Sequence, residues 1–164
     1  MNSKVPMTKE GYDSLKKELQ QLKNVERQKI IEEISIAREH GDLSENAEFE
    51  AAKDKQFLLE KKIGQIEQKL IDAEVFDVAN INTDKVVFGV SVQIQDESSG
   101  GIIDYQIVGS DEADAREGKI SVNAPLARAL IGKKVDETVE VNLPAGKKEY
   151  TILEINCRKK ETGK

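Results

Sequence analysis

The chain has 164 residues, 38% of them apolar and 4% aromatic, which fits one or two domains with modest cores and excludes a single large one. A formal net charge of -6, with 34% of residues charged, argues against an autonomous DNA-binding surface, because that affinity rests on neutralising phosphates. The single Cys157 excludes an internal disulfide, the single His40 leaves a zinc site without partners, and no apolar run nears the roughly 18 residues that span a bilayer.

Taken in chain order, Met1 to Met7 read as a frayed lead-in without the apolar core of a signal peptide, so a cytoplasmic protein is expected. Thr8 can cap a helix that continues to about His40. Its apolar positions are Tyr12, Leu15, Leu19, Leu22, Val25, Ile30, Ile34 and Ala37, one stripe with a skip between Val25 and Ile30 where the seam must drift. A glycine and small polar residues at 41–46 then interrupt the pattern, and a second helix restarts behind a new cap. Phe49, Ala52, Gln56, Leu59, Ile63, Ile66, Leu70 and Ala73 follow on alternating steps of three and four residues, with Gln56 filling one seam position, a coiled-coil stripe. Folding back near Ser44 sets Leu19 against Leu70, Ile30 against Leu59 and Ala37 against Ala52. The result is an antiparallel helical hairpin on the order of 45 Å long, slim near its alanine-lined tip. Phe57 and Leu58 lie off the stripe.

After Phe76 the periodicity changes, and Asn80 to Asp84 read as a linker, dividing the chain into 1–79 and 80–164. Strands are expected over Val86 to Val90, Ser91 to Gln95, Ile102 to Val108, Val139 to Leu143 and Lys148 to Ile155. Ser98 to Gly101 and Leu143 to Gly146 supply turns. Pro125 opens a short helix that Gly132 stops. The second half therefore reads as a small antiparallel sheet with one helix on it, and the whole chain as α+β. Cys157 is expected to be a buried strand residue and His40 an exposed helix-end residue.

The sharpest chemical signal is the pair Asp42 and Glu45 at the reversal, where nothing local could bury or pair both. Magnesium prefers six oxygens, keeps several waters and takes only one or two protein carboxylates, so two acids on a solvated tip hold it weakly alone. They become effective when another molecule supplies the remaining ligands, as in two-metal phosphodiester chemistry. A long rod carrying half a metal site suits insertion into another protein's active site. Taken by spacing alone, the same acids could merely solvate the loop and favour the start of the second helix.

The run from Ala37 to Phe49, Ala-Arg-Glu-His-Gly-Asp-Leu-Ser-Glu-Asn-Ala-Glu-Phe, resembles the tip signature of the bacterial Gre transcript-cleavage factor family. Val108-Gly109 with Glu112-Ala113-Asp114, Ile120 to Leu126, and Leu130 to Lys133 resemble that family's later motifs in the same order, so the likeness covers nearly the whole chain. It implies a coiled-coil hairpin joined to an FKBP-like domain that docks on bacterial RNA polymerase. It also implies that the hairpin enters the polymerase's secondary channel, and that Asp42 and Glu45 help hold a shared Mg2+ there. The polymerase then cleaves its own backtracked nascent RNA, and the factor, a monomer, is not an enzyme by itself. Arg38 and Lys53 flank the tip where cations could meet RNA phosphates, although lysine at 53, where relatives often carry arginine, offers only a point charge. Pro125 and Leu126 match the polymerase-docking segment, with Ala124 and Ala127 in place of a frequent serine and glycine. Two other functions compete. One is a Gre-like inhibitor of polymerase, which carries a different set of tip acids. The other is a peptidyl-prolyl isomerase, whose aromatic pocket this chain, with Phe88, Tyr105 and Tyr150 and no tryptophan in its second half, is poorly equipped to build.

Overall fold

The structure, a computed structural model, describes residues 4–41 and 46–157. Contacts divide it into two units, one formed by Tyr12–Ala73 and the other by Lys4–Gly11 together with the chain from Glu74 onward.

The first unit is a helical hairpin. One arm comprises α1 (Lys9–Gln21), a single π-helical turn at Leu22–Glu26, and α2 (Arg27–Arg38), and the other is α3 (Ala47–Asp72). Thr8 caps α1 as its sequence requires, its hydroxyl oxygen accepting from the Gly11 amide at 3.0 Å. The π turn is the physical answer to the skipped seam. Arg27 N–H reaches back five residues to Leu22 O, so this turn absorbs one residue more than an α-helical turn. Val25 is consequently not a seam residue but 36% exposed, outside the apolar cluster between the arms. On either side Leu19, Leu22, Ile30, Ile34 and Ala37 remain at least half-buried. The α3 stripe is as expected, with Ala52, Leu59, Ile63 and Ile66 buried, while Phe57 and Leu58 are exposed. Leu22, Leu59, Ile63 and Ile66 form the hairpin's core, with Leu15, Leu19, Ile30 and Leu70 packed around it. Lys23–Glu67 at 2.8 Å, Arg27–Glu60 at 2.8 Å and Glu33–Lys55 at 3.1 Å cross between the arms, near the register that the fold-back requires. Close backbone approach is concentrated between α2 and α3, where the alanines lie.

The second unit begins earlier than its sequence implies. Val5–Thr8 is a strand, β1, paired with β2 (Ala73–Phe76), and Met7 and Thr8 are 1% and 2% exposed, so this segment is ordered rather than frayed. The main sheet contains β3 (Ser91–Asp96), β4 (Ile102–Val108), β5 (Lys119–Ser121), β6 (Thr138–Leu143) and β7 (Gly146–Asn156) in the order β5-β4-β3-β7-β6. It is mixed rather than antiparallel, because β4 and β5 run parallel, pairing Gln106 with Lys119 and Val108 with Ser121. Two successive 3₁₀ turns, Ser110–Glu112 and Ala115–Glu117, return the chain so that β5 starts at the same end as β4, and periodicity carries no trace of a three-residue strand.

Val86 to Val90 is not a strand. Gly89 sits at φ +92° in a turn, and Val86 exchanges its two backbone bonds with Lys133 and Gly132 after the short helix α4 (Pro125–Leu130). Burial, with Val86 and Val90 at 0%, is what made this stretch look like a core strand. β7 carries a bulge: Gln93 faces Glu154 while Ile94 faces Ile152, leaving Leu153 as the extra residue. That step keeps Tyr150, Ile152 and Ile155 all facing the core despite their uneven spacing. Cys157 stands just beyond β7, half-buried, with its thiol 3.1 Å from Ile81 O. Among the described residues no helix is long and apolar enough to cross a membrane.

Candidate functional site at the hairpin turn

The turn between the arms is built by the residues on its two flanks. α2 closes with Glu39 N–H on Ser35 O and Ile36 O, His40 N–H on Ala37 O and Gly41 N–H on Arg38 O, a tightening last turn. Gly41 then takes φ +101°, a left-handed conformation that costs glycine little and lets the chain leave the helix sharply. Asp42, Leu43, Ser44 and Glu45 lie outside the described residues, so both carboxylates singled out from sequence do as well.

On the far side, Asn46 does two jobs. Its Oδ1 accepts from Phe49 N–H at 3.0 Å, which caps α3, and its Nδ2 donates to Ala37 O at 2.6 Å, which satisfies a carbonyl of the last turn of α2. One amide therefore ties the end of one arm to the start of the other. His40 Nδ1, 2.9 Å from Glu48 Oε1, makes a second tie across the turn. The two arms are thus tied to each other on either side of the turn, and Glu48 and Glu50 in the first turn of α3 suit the helix N-terminus. The sequence predicts a new cap here but not which residue makes it. The available signal was Asn46 followed by an acidic first turn, and its bond to the opposite arm has no signature in sequence at all.

Arg38 and Lys53 are both exposed, one on each arm, and Lys53 Nζ donates to Gln56 Oε1 at 3.3 Å. His40 is exposed at the helix end, as its position predicts. Beside the turn, Glu33, Ile36, Ala37, Glu48, Ala51, Ala52 and Lys55 line a surface groove of about 280 Å³, the space that three alanines leave between the arms. Among the described residues no cluster of three or more histidine, cysteine or acidic side chains could hold a metal by itself. In the other unit, Pro125 is the exposed first residue of α4 and Leu126 is half-buried against the sheet core. The aromatic side chains there are committed to packing: Tyr150 is in the core, and Phe88 lies against Phe76 in a tilted pair with ring centroids 5.2 Å apart.

Known proteins match on both sides of the linker. The family description "Transcription elongation factor, N-terminal" matches residues 5–75, and "Transcription elongation factor, GreA/GreB, C-term" matches residues 81–157. A protein of Alkalilimnicola ehrlichii named "Transcription elongation factor GreA" is 53% identical over 154 residues, covering 93% of this chain and 98% of that one. A Pelobacter propionicus protein of the same name is 51% identical over 155 residues, covering 94% and 98%. Matches to both halves in order, and relatives about half identical from end to end, agree on a single assignment: the chain belongs to the GreA/GreB family of transcription elongation factors.

Proposed function

We propose that the protein stimulates bacterial RNA polymerase to cleave its own backtracked nascent RNA, and that Asp42 and Glu45 are the residues that complete the polymerase's active centre. The observation that carries this reading is the bridged turn, in which Asn46 joins Ala37 O to Phe49 N–H so that the segment bearing both acids is spanned from two anchored arms. Side chains that act within another protein's active site need rigid support, since misplacement by about 1 Å can cost on the order of a hundredfold in rate.

The donor chemistry fits a shared magnesium. Two carboxylates supply part of an all-oxygen shell, and the remaining places would fall to polymerase groups and water. When bound, such an ion lowers the pKa of its water and offsets charge on the phosphodiester. The chain's own contribution is to bring Asp42 and Glu45 to the site as ligands and to present Arg38 and Lys53, exposed on the two arms, toward displaced RNA phosphates. The second unit, an FKBP-like domain in this reading, docks through the surface that includes Pro125 and Leu126. The protein acts as a cytoplasmic monomer, and the catalytic machinery it completes belongs to the polymerase.

The test is a stalled, backtracked elongation complex given the protein and Mg2+, read for short 3′ RNA fragments. Fragments are expected with the natural chain. Asp42→Ala or Glu45→Ala should lower cleavage by orders of magnitude, since about 1.4 kcal/mol of transition-state stabilisation is tenfold in rate, while folding and polymerase binding persist. Raising Mg2+ should restore part of the rate. Near-normal cleavage by both variants at limiting Mg2+ would remove the tip from the mechanism, and slowed elongation without fragments would make the protein an inhibitor.

A further inference from the structure

The motif Glu112-Ala113-Asp114 plays no part in the site above, yet its first residue makes a concentrated set of contacts. Glu112 Oε2 accepts from Thr8 N–H at 2.9 Å and from Gly109 N–H at 3.0 Å, and Oε1 accepts from the Thr8 hydroxyl. That same hydroxyl accepts from Gly11 N–H at 3.0 Å, so one carboxylate fixes both strand β1 and the first turn of α1. Asp114, two residues on, has a separate local role, capping the next turn through Arg116 N–H at 3.0 Å.

Two glycines are explained by the same contact. A Cβ on Gly11 would lie 2.3 Å from Glu112 Oε1, an oxygen that cannot swing aside without giving up Thr8. A Cβ on Gly109 would lie 2.2 Å from Pro6 O, a backbone atom of β1, although Gly109 itself has an ordinary φ of -69°. Glycine is needed here for close approach and not for an unusual backbone. With Met7 wholly buried as well, β1 is held by a charged clamp, an apolar anchor and one close backbone contact, that of Gly109 with Pro6.

We infer that Glu112 is a positioning residue whose carboxylate clamps the N-terminal strand to the sheet unit. The clamp makes Lys4–Gly11, which precedes the hairpin in sequence, an integral part of the sheet unit rather than a loose end. This stands on Lys4–Gly11 and residues 109–112 alone and does not depend on transcript cleavage.

The experiment uses the full chain with a protease site inserted between Asn82 and Thr83, cut after folding, with the association of the two pieces measured by gel filtration on dilution. The natural sequence should stay associated after cutting. Glu112→Gln places an amide N–H₂ against the Thr8 or Gly109 donors, and Gly109→Ala pushes on Pro6; each should weaken association at least tenfold with the sheet's circular dichroism retained. Thr8→Val should weaken it too, whereas Thr8→Ser, which keeps the hydroxyl, should restore the natural value, a distinction that general destabilisation would not make. Should Glu112→Gln fail to fold, Gly109→Ala and the Thr8 pair carry the same test. Pieces of the natural chain that separate on cutting, or variants that associate as tightly as the natural chain, would overturn the clamp.

Discussion

The hairpin and the sheet unit are held together by different means. In the sheet unit Ile94, Ile107, Leu130 and Ile152 are at 0% exposure, enclosed between strands and α4, so each apolar side chain there is surrounded. The hairpin has only a seam: its core residues Leu22, Leu59, Ile63 and Ile66 keep 3–8% exposure, their neighbours are half-buried, and ion pairs run along the rims. Two helices have a line of contact where a sheet and helix have an area. The difference teaches what each region rests on. At the hairpin turn the described local structure is carried by Gly41, Asn46 and backbone bonds, so this end of the hairpin depends on a few polar contacts more than on its apolar seam.

The sharpest way to probe the contrast is to remove the same atoms from each region. Ile152→Ala in the sheet core should cost about 2–5 kcal/mol, the range for a large-to-small change in an enclosed site that relaxes only in part. Ile63→Ala should fall near the lower end, roughly 2 kcal/mol, because two helices can close on a gap more easily than a sheet locked by its ladder. Urea denaturation followed by amide exchange assigns each loss to its own unit. Equal costs at the two positions would mean that the hairpin seam is as constrained as the core, and the comparison would fail.

The same contrast explains what was legible in the sequence. Both helical arms, their common register and the restart after Gly41 follow from apolar spacing, which is a one-dimensional property. The π turn was visible only as a defect, the skip after Val25, because spacing records that a residue is surplus and not how the backbone absorbs it. Val86 to Val90 misled for the opposite reason: its ends, Val86 and Val90, are fully buried, but Gly89 turns the chain between them, so Val86 bonds to Gly132 and Lys133 after α4 while Gly89 and Val90 bond to Ile107 of β4. β1 was unreadable because its attachments are to residues about a hundred positions away, and Glu112 could be noticed as a motif without any sign of what it grips. At the candidate site, Asp42 and Glu45 stand out in the sequence by residue type and place between the two helical patterns, and they lie outside the described residues. The support from Asn46 to Ala37 O was not legible, since a cap is local and a bond between arms is tertiary.

Charge separates the two units as apolar packing does. Asp96, at the end of β3, has a side chain only 8% exposed that accepts from Ser98 Oγ at 2.8 Å, from Lys148 Nζ at 3.1 Å and from the Ser98 amide at 2.9 Å. The Ser98 hydroxyl first, and Lys148 second, hold its carboxyl well below the usual range. A depressed folded-state pKa means stabilisation that is fully present above the unfolded value, about 3.9, and is lost as pH falls through that value toward the folded one. The stability gap between the natural chain and Asp96→Asn should therefore be level from about pH 5 to 8 and narrow below about pH 4. A gap that stays constant into strong acid would show that Asp96 acts through hydrogen-bond shape and not through charge.

The smallest expected effect lies on the hairpin rim. Arg27 donates through Nε and Nη2 to the two oxygens of Glu60, each at 2.8 Å, a bidentate pair in good geometry but with side chains 33% and 47% exposed. The Glu60 hydrogen bond raises the Arg27 pKa further above a value already out of physiological reach, so pH near neutrality cannot weaken the pair from the arginine side. Salt can. At about 0.1 M ionic strength the screening length is about 10 Å and at 1 M about 3 Å, and exposed pairs lose most of their attraction accordingly. In a double-mutant cycle of Arg27→Ala and Glu60→Ala, the coupling should be small at low salt and shrink further at high salt. The parallel cycle of Asp96→Asn and Lys148→Met, around a carboxylate shielded from solvent, should change less across the same range. Arg27→Lys should behave much like Arg27→Ala, because lysine keeps the charge but loses the two-pronged geometry. If the Arg27–Glu60 coupling proved the more salt-resistant of the two, the rim pairs would be structural members of the hairpin in their own right, and the seam would not be its main support.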